Sequence, residues 1–111
     1  MNEAVFRITS AKTVAVPIER LFNAFANDML RECWLPVAEL RLRAAKAPRT
    51  ARYDWPDGST QIAIGFTELG ETKSRVALAH ERLPDAETAE LMQAWWRDRM
   101  VALKLLLEHG I

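Results

Sequence analysis

The chain has 111 residues, half of them hydrophobic, with 15 basic side chains balanced by 15 acidic ones. That length suits one domain, residues 1–111, able to bury a core without disulfides or metals and too apolar for disorder. A net charge of zero argues against a nucleic-acid or membrane-surface protein, both of which usually need a basic face.

From the N-terminus, "VFRITSAKTVAV" (5–16) alternates, with Phe6, Ile8, Val14 and Val16 on one parity, and predicts a long strand bent near Ser10. Pro17 ends it and opens a helix at the first turn, where a missing N–H costs nothing. Ile18, Leu21, Phe22 and Phe25 then recur at helical spacing. Asn27 and Asp28 break that helix and cap a second short one, "DMLRECWL", which Pro36 ends. The first residues lack the apolar core of a signal peptide, and no window is apolar for long enough to span a membrane. Cys33 is the only cysteine, so no internal disulfide can form and a reducing cytoplasm is the expected compartment. Beside Trp34, it reads as a small apolar filler.

Four strand-like segments follow. "ELRLRAAKA" (39–47) alternates Leu40 and Leu42 with charged residues, and "RTARYDW" (49–55) comes next. "PDGS" supplies the residues of a tight hairpin turn. "TQIAIGFTEL" puts Ile62, Ile64 and Phe66 on one face; after "GE", "TKSRVALAHERL" does the same with Val76, Leu78 and His80. Pro84 ends the sheet and Asp85 caps a long final helix. Strands joined by short turns form an antiparallel meander, and the meander's apolar face needs that helix as its cover. On the helix Met92, Trp96, Leu103 and Leu107 share one stripe, with Met100 at its edge. Leu91, Trp95 and Leu106 lie further round, so the apolar arc is wider than a surface helix needs. Neighbours on a helix diverge by roughly 100°, so if Trp96 anchors the core, Trp95 must find a second surface.

This order of elements, with "KTVAVPIERLFNAFAND", "CWLP", "YDWPDGST", "VALAHERL" and "AWWRDRMVALKLLLE", resembles the START-like (SRPBCC) superfamily. More narrowly it resembles the bacterial branch grouped with the activator of heat-shock protein 90 ATPase. The resemblance covers nearly the whole chain. It implies an α+β helix-grip fold, an antiparallel sheet of about five strands wrapped on a long C-terminal helix, in the order β-α-α-β-β-β-β-α. It also implies a cradle for a hydrophobic ligand between sheet and helix, and it brings no catalytic residue set.

Inward parity nominates Tyr53, Trp55, Ile64, Phe66 and Leu78 as cavity walls on the sheet, faced by Met92, Trp96 and Met100 from the helix. Among them His80 is either a hydrogen-bonded core histidine or the group that orients a ligand. Tyr53 and Arg82 could join the polar end of the same cavity. Glu81 points the other way, so no carboxylate on that strand orients His80 as a general base, and no catalytic residue is nominated. Cys33, His80 and His109 lack metal-ligand spacing and the four glycines are isolated, so neither a metal nor a cofactor is expected. Trp95 and the exposed-parity Arg41, Arg43 and Arg52 are the interaction-surface candidates. Together with Lys46 and Arg49, those arginines otherwise read as a solvated basic face. Three functions stay open. One is a binding module for an apolar small molecule. Another is a protein-interaction or co-chaperone domain that meets a chaperone partner; separately, a homodimer centred on Trp95 is expected rather than a monomer. The third is a cyclase-like enzyme enclosing its substrate at His80.

Overall fold

In the computed structural model, which describes residues 6–37 and 39–110, the order is β1 (Phe6–Val14), α1 (Ile18–Ala26), α2 (Asp28–Trp34), β2 (Arg41–Lys46), β3 (Thr50–Asp54), β4 (Gln61–Gly70), β5 (Lys73–Leu83) and α3 (Ala86–His109). The expected α+β order is present, and the strands form one antiparallel sheet, β1-β5-β4-β3-β2. Val5, where the first strand was expected to begin, lies outside the described residues.

Local signals set the helix ends. Pro17 is the N-cap of α1 in an extended conformation, one place earlier than its expected role inside the first turn. Asn27 ends α1 and caps α2, its side chain accepting the Leu30 amide at 2.9 Å. Asp85 does the same for α3, accepting from the Thr88 amide at 2.7 Å. The inner face of α3 (Ala89, Trp96, Met100, Leu103 and Leu107) is buried in the common core, with the helix lying closest to β1 and Trp96 reaching His80 of β5. Apolar burial of this kind supplies most of the driving force.

α3 also seals one edge of the sheet. Gln93 donates to the Thr9 carbonyl at 2.7 Å and Lys104 to the Thr13 carbonyl at 3.1 Å, while Glu108 accepts from the Ala15 amide at 2.7 Å. The other edge, β2, is exposed along its length. Arg41, Arg43 and Lys46 guard it, a common defence against edge-to-edge pairing.

One bulge changes the inward parity. β1 pairs Phe6 with Leu83 but Ile8 with His80, so Glu81 and Arg82 together face Arg7. Arg82 adopts a left-handed φ of 69° and turns out to solvent, and Leu83 takes the inner place. Arg82 therefore does not join the polar group around His80, and the irregularity in β1 lies here rather than at Ser10.

Arg31 is buried although the sequence pattern did not single it out. Its guanidinium donates to the Phe25 carbonyl at 2.7 Å, pairs with Asp28 at 2.9 Å and lies 5.7 Å from the centre of the Tyr53 ring. The Tyr53 hydroxyl donates to the same carbonyl at 3.2 Å. These two side chains satisfy an acceptor that the end of α1 leaves free. Arg31→Met should cost about 1–3 kcal/mol in urea unfolding, since it removes a charged donor from a buried acceptor. An unchanged midpoint would mean that Tyr53 alone satisfies Phe25.

Candidate functional site

His80 sits at the centre of a hydrogen-bonded chain. The Trp96 indole N–H donates to His80 Nδ1 at 3.0 Å, and His80 Nε2 lies 2.9 Å from Thr60 Oγ1. An indole nitrogen can only donate, so Nδ1 must carry the lone pair and Nε2 the proton. Nε2–H then donates to Thr60, whose hydroxyl donates to the Asp57 carboxylate at 3.0 Å. Asp57 belongs to the "PDGS" turn and also accepts from the Ser59 and Thr60 amides, each at 2.9 Å. Burial pushes the His80 pKa down to about 4, with Asp57 opposing in part. His80 is thus a neutral imidazole at pH 7, bonded on both nitrogens.

The tryptophan pair is resolved around this histidine. Trp96 is fully buried. The Trp55 ring lies 4.6 Å from His80 and 5.6 Å from Trp96, and Trp95 packs edge-on against Trp55 at 5.7 Å and Trp96 at 5.1 Å. Trp95 finds its second surface largely within its own chain and is half-buried. Tyr53, Ile64, Phe66, Leu78 and Met100 are core residues, and Met92 packs at the core's edge. Most of the residues nominated as walls beneath α3 pack into one core cluster, while Trp55 also lines a concavity beside Leu40 and Tyr53 one beside Phe22. Aromatic edge contacts, including Phe25 with Phe66 at 5.4 Å, hold this core together. None of the four principal concavities is lined by a residue of α3.

The largest of those concavities, about 940 Å³, lies on the opposite face of the sheet. Strand register explains it. One row across the sheet runs Thr9, Ala79, Ala63, Arg52, Ala44, and the adjacent row runs Ala11, Ala77, Gly65, Thr50, Lys46. These rows form a floor of mostly small side chains that crosses all five strands. Four interstrand steps make it about 19 Å long. Arg75 flanks one side. On the other, Arg7 and Arg52 each approach Glu81 at 3.7 Å, and Arg52 also donates to Gln61 at 3.3 Å, which draws it off the floor. Ile64 and Leu78 border this trough with side chains committed to the core.

Of the interaction candidates, Arg52 stands in the trough, Arg43 is paired with Asp54 at 3.5 Å and Arg41 is exposed on β2. Cys33 is exposed rather than a core filler. Among the described residues no group of three His, Cys, Asp or Glu could hold a metal ion, and no helix is long and apolar enough to cross a membrane. The inward parity of the strands points away from the trough, which lies on their outward positions. The available signal was alanine and glycine at outward positions, where a solvated face usually carries long polar side chains.

A five-stranded antiparallel sheet gripping one long C-terminal helix, with two short helices inserted after the first strand, defines the helix-grip fold. Neither a family model nor a curated protein matches this sequence. Solved bacterial structures do match the fold. The Aha1 dimer from Colwellia psychrerythraea aligns with a TM-score of 0.80 at 14% identity, over 95% of this chain and 98% of that one. A protein from Staphylococcus saprophyticus gives 0.80 at 19% identity, over 96% and 94%. An AHSA1-like protein from Rhizobium etli gives 0.74 at 17% identity, over 93% and 82%. The expected resemblance therefore holds for the fold, which Aha1-like proteins share.

Proposed function

We propose that this chain is a binding module for an apolar small molecule, and that it holds its ligand in the outer trough of the sheet rather than beneath α3. The observation that carries the reading is the trough itself. Its 940 Å³ falls at the upper end of the range of small-molecule sites, and its floor is mostly alanine, glycine and threonine. The space beneath α3 is occupied by tryptophan, phenylalanine and methionine side chains. A cyclase-like reaction at His80 would need room for a substrate where the rings of Trp55 and Trp96 now stand.

The test is a fluorescence titration with N-phenyl-1-naphthylamine, a neutral apolar probe. Ala77→Trp places a large side chain on the exposed floor without touching the core, so the fold should survive. Wild type should bind the probe, and the variant should bind it about tenfold more weakly at an unchanged melting temperature. Equal binding by both proteins would exclude the trough.

A second reading is self-association through α3. Its outer side exposes Leu91, Val101 and Leu105 at 67%, 41% and 54%. With Ala94, Ala102 and Trp95 they share an arc of about 120° in which, between Leu91 and Leu105, Asp98 is the one charged residue. An exposed apolar patch on a helix commonly marks an interface. A structural neighbour, the Colwellia protein, is a dimer. Sedimentation of wild type and Leu91→Glu decides it: a dimer that dissociates in the variant supports this reading, and a monomer in both removes it.

A further inference from the structure

We infer that the trough's ligand is an elongated amphipathic carboxylate of the fatty-acid type, its tail lying across the strands and its head at Lys46. The inference rests on the trough being the ligand surface, and three observations extend it to this chemistry. The first is shape. The floor is about 19 Å long and only two side-chain rows wide, which suits a single extended chain better than a broad ring system. The second is charge. Four cations line the trough (Arg7, Lys46, Arg52 and Arg75) against one carboxylate, Glu81. The third is how those charges are used. Arg7 and Arg52 share Glu81, whereas neither Lys46 nor Arg75 has a salt-bridge partner among the described residues.

Position assigns the head. Lys46 terminates the row that runs through Thr50, Gly65 and Ala77 to Ala11, so an ammonium stands at the end of an otherwise small-residue path. A carboxylate there gains a charge-assisted hydrogen bond. Arg75 stands beside the path one row away and adds to the positive field without closing the end. A neutral chain of the same length would keep the apolar contact and lose the head contact.

The experiment compares dodecanoate with dodecanol by calorimetric or fluorescence-displacement titration at pH 7.5, below the concentration at which either self-associates. Wild type should bind dodecanoate about tenfold more tightly than dodecanol. Lys46→Glu should abolish that preference by weakening dodecanoate alone, and Ala77→Trp should weaken both. Equal affinities in wild type, both lowered by Ala77→Trp, would overturn the carboxylate inference and leave the trough as a neutral apolar site. A preference that survives Lys46→Glu would overturn the assignment of the head. Binding of neither compound would overturn the inference together with the reading beneath it.

Discussion

Trp96→Ala should lower the free energy of unfolding by about 4 kcal/mol, more than any other single truncation of the aromatic cluster. The side chain is fully buried, and removing a buried tryptophan ordinarily costs about 3–5 kcal/mol through lost transfer energy and the cavity left behind. Here the loss is compounded. Trp96 is the donor to His80 Nδ1, and its ring supports both Trp55 and Trp95. The half-buried Trp95 provides the control. Trp95→Ala removes a ring that is partly wet and bonds to nothing buried, so it should cost about half as much or less. Chemical denaturation of the two variants gives the ranking. Equal losses would mean that the two rings share the core burden, and the assignment of Trp96 as its anchor would be wrong.

The second large effect is an acid-dependent loss of stability carried by His80. Its pKa falls from about 6.5 in the unfolded chain to about 4 in the fold. Between those values the unfolded state binds the extra proton, so acid favours unfolding. The stabilising contribution is complete above pH 6.5 and is lost progressively as the pH drops towards 4. The full shift corresponds to about 3 kcal/mol. The physical cause is visible in the hydrogen bonds, since a proton on Nδ1 would face the indole N–H of Trp96, which cannot turn into an acceptor. Asp57, Asp85 and Glu108 also lose stabilising contacts in acid, but their carboxyl groups are held below the usual range, so their window lies lower. His80→Gln separates the two. A glutamine offers a carbonyl to Trp96 and an amide to Thr60 and carries no charge at any pH. The difference in stability between pH 7 and pH 5 should shrink markedly in that variant, and an unchanged pH profile would clear His80 of the effect.

Much of the fold was legible because its signals are local. Pro17, Asn27, Asp85 and the "PDGS" turn mark element ends by their own chemistry, and alternation along "QIAIGF" and "RVALAH" identifies the core face. What stayed hidden depends on residues far apart in sequence. The bulge at Glu81 and Arg82 exists only relative to β1, and it exchanged Arg82 for Leu83 on the inner face. The trough exists only once register brings Ala11, Ala77, Gly65 and Thr50 into one row. Whether Tyr53, Phe66 and Trp96 surround a cavity or fill it is a question of volume, which a one-dimensional pattern does not contain. The role of Arg31 is not legible locally, because nothing in "MLRECW" shows that the end of α1 will need its donor.

The most direct measurement is a ¹H–¹⁵N correlation spectrum of the labelled chain titrated with dodecanoate. Binding in the outer trough should move the backbone amides of Ala63, Gly65, Ala77 and Ala79 and leave the indole N–H of Trp96 where it was. Movement of that indole signal with the trough amides unchanged would place the ligand under α3, and would contradict the assignment of the binding surface to the sheet's outer face.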